Sequence, residues 1–137
     1  MIFAWIIVIG VFLQVYFIAS YFSGAGEGAL DAHSFTGGLV VHGSELIVFL
    51  SSLVAFWGLW RWVGWSFLLF AGGTVQIFLA PPDDDPGSGW VHGLHGLLAL
   101  VVLILAAYLA HRDMRLLGLK GGADMAPAPG PPPQPPA

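Results

Sequence analysis

The sequence contains no cysteine and very little charge. Of its 137 residues only 4 are lysine or arginine, and charged residues make up 9% of the chain. The missing cysteine excludes disulfides, thiolate-ligated iron–sulfur clusters, c-type haem attachment and cysteine catalysis. Four basic residues cannot form the basic patch that nucleic-acid binding requires. Any redox or metal chemistry must therefore use histidine, carboxylate, methionine or tyrosine side chains.

Apolar residues dominate what remains. They make up 57% of the chain. The charged fraction of 9% is far below the roughly 25% that is usual in soluble domains. Because about 20 apolar residues cross a bilayer, the sequence predicts an all-α bundle of four transmembrane helices. The spans lie at about 2–22, 33–60, 63–80 and 90–111, within a domain of residues 1–115. The rival interpretation of the first span, a cleaved signal peptide, is disfavoured because the segment lacks a positively charged start.

The predicted connections differ in composition. A Gly-rich loop is expected at Ser23–Ala32, a tight turn at Trp60–Trp62, and an acidic, proline-bounded loop at Pro81–Gly87. Residues 116–137 are rich in proline and alanine and are expected to form a disordered cytoplasmic tail.

The basic residues predict the orientation. In an alternating four-span arrangement Arg61, Arg112, Arg115 and Lys120 all fall on one side of the membrane. The positive-inside rule makes that side cytoplasmic. We therefore expect a multi-pass protein of the bacterial inner (plasma) membrane, with both termini in the cytoplasm.

Histidines occur in two of the four predicted spans. His33 and His42 belong to the second, and His92 and His95 to the fourth. These two spans run in the same direction, so His33, His92 and His95 are expected at similar depth. Ionisable groups inside a membrane are costly, and their default interpretation is functional.

Helical geometry divides the histidines between faces. At about 100° per residue, His92 and His95 share a face, whereas His33 and His42 lie about 180° apart on a regular helix. The sequence therefore predicts either that His33 lies at the end of a loop, or that two different sites exist.

A haem site is the first hypothesis for these residues. Gly37 and Gly96 lie near histidines, and small residues leave room for a flat macrocycle between helices. His33 and His95 are the preferred axial ligands of a haem b iron, with His92 and His42 as alternates.

Other polar residues leave alternatives open. Gln14 and Gln76 are expected to bond between helices, or to a cofactor edge, and Glu45 to pair with His42 or carry a proton. Structural hydrogen bonding by the histidines is one alternative to a cofactor. A proton or metal pathway through His42, Glu45 and Gln14 is another alternative, although few polar residues extend this pathway to the inner face of the membrane.

Short motifs carry a resemblance over residues 1 to about 112. The chain has Phe12-Leu13-Gln14, His33 followed by Gly37, Val75-Gln76, and Leu94-His95. In these it resembles a family of small uncharacterised four-helix bacterial membrane proteins, a domain of unknown function. Its layout is also similar to the bis-histidine haem bundles of cytochrome b561 and of each half of haem A synthase. That resemblance implies haem b held between two helices.

Two functions are expected from these observations. The first is a membrane haem b protein with an electron-transfer or haem-handling role. The alternative is an accessory subunit of a larger respiratory or photosynthetic membrane complex, packing against pigment or lipid. The expected partners are the lipid bilayer and a larger membrane complex or further copies of the chain, and not nucleic acid. No nucleophile–base pair or phosphate-binding loop is evident, so an enzyme acting alone is not expected.

Overall fold

In the part of the chain that the structure describes, the protein is an all-α bundle of four helical rods. The computed structural model describes residues 2–80 and 89–116. The elements, in chain order, are α1 (Ile2–Ser20), a π-helical segment (Tyr21–Ala25), α2 (Glu27–Phe35), a second π-helical segment (Thr36–Val41), α3 (His42–Ala55), α4 (Trp60–Phe78) and α5 (Gly89–Leu116). Within the second rod, α2, the second π segment and α3 follow one another without a break.

The second rod begins earlier than the sequence predicted. Its helix starts at Glu27 rather than near residue 33, so much of the expected Gly-rich loop is helical. The chain reverses instead at Gly24 (φ 92°) and Gly26 (φ 83°). Positive φ values are accessible to glycine because it lacks a Cβ atom, and these two glycines therefore make the turn.

The turn between the second and third rods also differs from the prediction. The chain turns through residues 56–59, with Gly58 at φ 84°, and Trp60 already begins α4. The tight turn expected at Trp60–Trp62 is therefore helical. The acidic loop predicted at 81–87 lies outside the described residues, as does the predicted tail beyond residue 116.

The rods form a four-membered ring. The first rod packs against the second and against α5, and α4 packs against the second rod and α5. The second rod and α5 therefore lie diagonally opposite each other. The first and second rods are antiparallel, since Gln14 bonds His33 while Gly10 faces Val41. α4 and α5 are antiparallel in the same way, since Gln76 bonds His95 while Gly72 faces Val102. This arrangement brings the two histidine-bearing helices across the bundle axis from each other.

The interior is filled at one end only. The buried cluster contains Ile7 and Val8 from the start of α1, Leu69 from α4, and Ala106 and Leu109 from the last part of α5. At the same end, the guanidinium of Arg112 lies over the rings of Phe56 and Trp62, 4.9 and 5.0 Å from their centres. The opposite end, where α1 finishes and α5 begins, surrounds a pocket.

Within the described ranges, three stretches are long and apolar enough to cross a membrane: Ile2–Ala25, Glu27–Ala55 and Gly89–Arg115. Among the described residues α4 does not reach the same standard. Its 19 residues include Arg61, Gln76 and three tryptophans, which lower its hydropathy. The predicted all-α bundle is thus confirmed, with three of the four rods having membrane-spanning character.

Candidate functional site

Two histidines face each other across the bundle axis. The imidazole ring of His33, on α2, lies 6.3 Å from that of His95, on α5, measured between ring centres, and the ring planes are tilted by 51°. Both rings are partly buried. These are the two residues that the sequence favoured as axial ligands, and the fold brings them together.

Each of these histidines is held by a glutamine from the preceding rod. The side-chain amide nitrogen of Gln14 donates to the backbone carbonyl of His33 at 2.6 Å. In return, His33 Nδ1 lies 3.0 Å from the backbone carbonyl oxygen of Gln14. In the same way, the side-chain amide of Gln76 donates to the backbone carbonyl of His95 at 2.9 Å, and His95 Nδ1 lies 3.0 Å from the backbone carbonyl oxygen of Gln76. Both glutamines therefore bond between helices, as predicted.

These bonds determine which ring nitrogen carries the proton. A backbone carbonyl can only accept, so Nδ1 of His33 and of His95 must donate. In a neutral imidazole the other nitrogen, Nε2, then has a free lone pair. No described residue bonds to either Nε2. Fixing Nδ1–H on a backbone carbonyl is the arrangement by which proteins orient metal-binding histidines.

The two Gln–His pairs form an internal repeat. Each glutamine precedes its histidine by 19 residues. The separation in sequence between the two glutamines is therefore the same as that between the two histidines. A Gly-x-x-x-Gln pattern, at Gly10–Gln14 and at Gly72–Gln76, marks both copies. The bundle thus contains two helical hairpins with the same bond, facing across the axis. The equal spacing was a sequence signal for this pairing that the motif analysis missed.

A pocket of about 590 Å³ lies between the hairpins. Of the predicted site residues, those that line it are Gln14, His33, Gly37, His42, Gln76, His95 and Gly96. The predicted alternate His92 does not line it, and its Nε2 is buried without a hydrogen bond among the described residues. The remaining walls are mainly aliphatic, contributed for example by Val11, Ile18 and Leu103.

His33 and His42 line the same pocket, which corrects the prediction that they occupy opposite faces. That prediction assumed a regular α-helix. Residues Thr36–Val41 instead form a π-helical segment, whose wider turns change the rotation per residue. The second rod therefore aims both side chains at one cavity without ending a helix at His33.

The wall of the pocket also carries a carboxyl group. Glu45 is fully buried, and its Oε2 lies 2.9 Å from His42 Nδ1. Its other oxygen, Oε1, has no hydrogen-bond partner among the described residues. The His42 ring stacks on Phe70 at 5.0 Å, which fixes its orientation. The predicted Glu45–His42 pair is present, and its position on the wall of this pocket is new.

The space for Glu45 depends on a glycine of α4. A Cβ atom at Gly73 would collide with the carboxyl group of Glu45. Glycine at this position lets the second rod and α4 approach closely, as small residues do in membrane bundles. Nothing in the sequence linked Gly73 to Glu45, because the two lie on different helices.

The chemistry of the site is that of two opposed imidazoles. No group of three or more histidine, aspartate or glutamate side chains in the described part of the chain is placed to hold a metal ion. A pair of imidazoles suits a metal whose other ligands come from a macrocycle, as in haem proteins.

Comparison with known proteins adds no family assignment. No protein family, no curated protein and no solved structure matches this chain.

Proposed function

We propose that the protein binds haem b between His33 and His95 and serves electron transfer or haem handling in a membrane. The observation that carries this proposal is the pair of facing imidazoles with both Nδ1 atoms held by backbone carbonyls. Two Nε2 atoms, one from each hairpin, are then available to the same central space.

The ring separation supports two-sided ligation. Two imidazoles that bind one metal through Nε2 at about 2.0 Å, from opposite sides, have ring centres about 6 Å apart. The ring centres of His33 and His95 are separated by 6.3 Å. Ligation would therefore require little movement of either helix.

The pocket also suits a flat, largely apolar group. Its volume of about 590 Å³ falls within the usual range of cofactor sites. A Cβ atom added at Gly38 or Gly96, both on the pocket wall, would meet nothing within 4 Å. These two glycines thus leave open space at the pocket wall that a macrocycle can occupy, whereas Gly37, which the sequence predicted for this role, packs against the Gln14 side chain.

Haem iron would supply one-electron transfer at this position. The chain's own contribution is orientation and exclusion of water: Gln14 and Gln76 fix the imidazoles, and aliphatic side chains surround them. An apolar shell around a metal controls its redox potential.

The membrane placement belongs to the same proposal. We infer that all four rods insert into a bacterial inner membrane, α4 being enclosed by its two neighbours. Arg61 and Arg112 both lie over the Trp62 ring, so they mark one end of the bundle. The positive-inside rule makes this end, with both termini, cytoplasmic, and the pocket then lies in the outer half.

Visible spectroscopy tests the proposal directly. The full-length protein, purified in mild detergent from membranes of a host supplied with a haem precursor, should show a low-spin α-band on reduction. Reconstitution of the purified protein with haem b should saturate at one haem per chain. Colourless protein that takes up no haem would contradict the proposal. If such protein also co-purified with one larger membrane complex, the accessory-subunit role would be favoured.

Replacing either glutamine with leucine should loosen the haem. Gln76→Leu and Gln14→Leu remove equivalent bonds, so we expect similar losses in haem affinity, about 10–100-fold, as for other groups that orient metal-binding histidines. Haem transfer to an acceptor protein measures this loss.

Thr74→Val is the matched control for Gln76→Leu. Thr74 lies on the same helix, donates to the backbone carbonyl of Phe70, and is not among the residues that line the pocket. Unchanged haem affinity in both glutamine variants would show that the Gln–His bonds do not orient the imidazoles.

Filling the pocket should exclude the haem. Gly96→Leu introduces a side chain into open space on the pocket wall, so the bundle should fold while haem binding is lost. Gly93→Leu, one turn earlier on α5 and away from the pocket, should bind haem normally. Circular dichroism and haem titration compare the two variants, and normal haem uptake by Gly96→Leu would place the haem elsewhere.

A further inference from the structure

We propose that haem enters and leaves the pocket sideways, from within the bilayer, through an opening between the second rod and α4. This side opening is bordered by Ser34 and Gly38 on the second rod, by Ile77 on α4 and by Ala80 just after it. The inference rests on the proposed function and adds the route by which the cofactor is loaded and released.

The second rod leaves one of its faces uncovered at the level of the pocket. On the face toward α1, a Cβ atom added at Gly37 would lie 2.9 Å from the side-chain oxygen of Gln14. A Cβ atom added at the next residue, Gly38, would meet nothing within 4 Å. Ser34 lies one turn before Gly38 on the same side of the rod. Because α1 and α4 are the neighbours of the second rod, this uncovered face is the one directed toward α4.

α4 touches the second rod nearer the filled end of the bundle. At Gly73 the two rods are so close that a Cβ atom would collide with the Glu45 carboxyl group. Ile77 follows Gly73 by one turn on the same side of α4, and Ala80, whose amide donates to the Ile77 carbonyl at 3.1 Å, continues that turn. In the described part of the chain α4 packs against α3, but no comparable packing joins it to α2 or to the second π segment. The two rods therefore meet at the level of Glu45 and part toward Gly38.

The pocket reaches the outer surface of the bundle in this gap. All four residues of the side opening are exposed, and all four line the pocket. A residue that contacts both a cavity and the surroundings lies at the rim of that cavity. The side opening is therefore a rim through which the pocket communicates with the exterior of the bundle.

The surroundings of this rim are hydrocarbon in the proposed membrane placement. Ser34 and Gly38 belong to the stretch Glu27–Ala55, which is long and apolar enough to cross a membrane. None of the four rim residues is ionisable, so a porphyrin ring can pass them without stripping water from a charge. Since the ring is itself apolar and dissolves in a bilayer, the bilayer can serve as the source of the haem.

The seam on the opposite side of the bundle, between α1 and α5, carries larger side chains. The exposed residues that line the pocket there are Phe12, Val15, Gly96 and Leu100. Three of these four are branched or aromatic, whereas Ile77 alone is branched at the side opening. In the internal repeat, Gly38 follows His33 at the same spacing as Leu100 follows His95. A glycine therefore leaves space in one seam at the position where a leucine occupies the other.

Bridging the side opening tests the proposal on the full-length protein. Because the chain has no cysteine, Ser34→Cys with Ala80→Cys introduces the only two thiols, each by a small replacement. The haem-loaded variant in phosphatidylcholine vesicles is treated with a flexible, cleavable bis-maleimide, and haem transfer to an excess of a haem-binding acceptor protein is followed by absorbance. The bridge should trap the haem, so that transfer is lost, and cleavage of the bridge should restore it. Haem-free protein bridged in the same way should take up no haem from haem-containing vesicles until the bridge is cleaved.

Phe49→Cys with Phe67→Cys is the matched control. These residues join the same two rods nearer the filled end, where their ring centres are 5.5 Å apart, and neither lines the pocket. A bridge there tethers the second rod to α4 without crossing the side opening, so haem transfer should continue. The low-spin spectrum of each loaded variant, recorded before and after bridging, checks that the ligands His33 and His95 are undisturbed.

The outcomes separate the two proposals. Protein that binds no haem overturns the proposed function and this inference with it. Haem-loaded protein overturns the inference alone if the bridge at Ser34 and Ala80 does not form, if haem transfer continues through it, or if the control bridge stops transfer as well. Haem that is trapped by the first bridge, released on its cleavage and still transferred in the control supports entry from the bilayer through the side opening.

Discussion

Replacing His95 with alanine is expected to abolish the low-spin haem spectrum. One of two opposed imidazoles is lost, leaving the iron with a single protein ligand. The same result is expected for His33→Ala, since the hairpins place the two rings equivalently. Haem affinity should fall by more than the roughly 100-fold limit typical of groups that only orient a ligand. Visible spectra of the reduced and oxidised variants measure both effects.

His92→Ala supplies the control for this experiment. His92 lies one turn before His95 on α5 but does not line the pocket. The His92→Ala variant should therefore retain the low-spin haem spectrum. Free imidazole added to His95→Ala should restore low-spin character by occupying the vacated space. A low-spin spectrum that persists in His33→Ala or His95→Ala, without added imidazole, would contradict the assigned ligand pair.

Replacing Gly73 with alanine is expected to destabilise the bundle substantially. The added methyl group collides with the buried carboxyl of Glu45, and displacing that carboxyl breaks its contact with His42 Nδ1. Overpacking of this kind costs about 1–3 kcal/mol. Unfolding of the purified protein in mixed detergent micelles, followed by circular dichroism, measures the change in free energy of unfolding.

Gly64→Ala is the matched substitution on the same helix. A Cβ atom there meets nothing within 4 Å, so the change should be neutral or slightly stabilising. In the double variant Gly73→Ala with Glu45→Ala, the collision disappears and the two effects should be non-additive. Additive effects, or a Gly73→Ala variant as stable as Gly64→Ala, would show that Gly73 does not accommodate Glu45.

Much of the bundle could be predicted from composition and hydropathy. Long apolar stretches and their polar interruptions indicated four helices, and the common direction of the second and fourth placed His33 and His95 at one level. It was also predictable that Gln14 and Gln76 would each hydrogen-bond to another helix, because an amide in an apolar span requires a partner. These features depend on local composition and on chain direction.

Other features depend on backbone irregularity and contacts between distant helices. The faces of His33 and His42 were predicted from a constant rotation per residue, which the π segment Thr36–Val41 breaks. The contact between Glu45 and Gly73 arises only when the second rod packs against α4. Equal Gln-to-His spacing in both hairpins was an unused signal that links Gln14 to His33 and Gln76 to His95.

Near-infrared magnetic circular dichroism of the oxidised, haem-loaded protein tests the central claim most directly. The position of its charge-transfer band reports which two side chains ligate low-spin haem iron. The facing imidazoles of His33 and His95 predict the band of two-histidine ligation. A band typical of histidine–methionine or histidine–amine ligation, or a high-spin spectrum with a single imidazole, would contradict it.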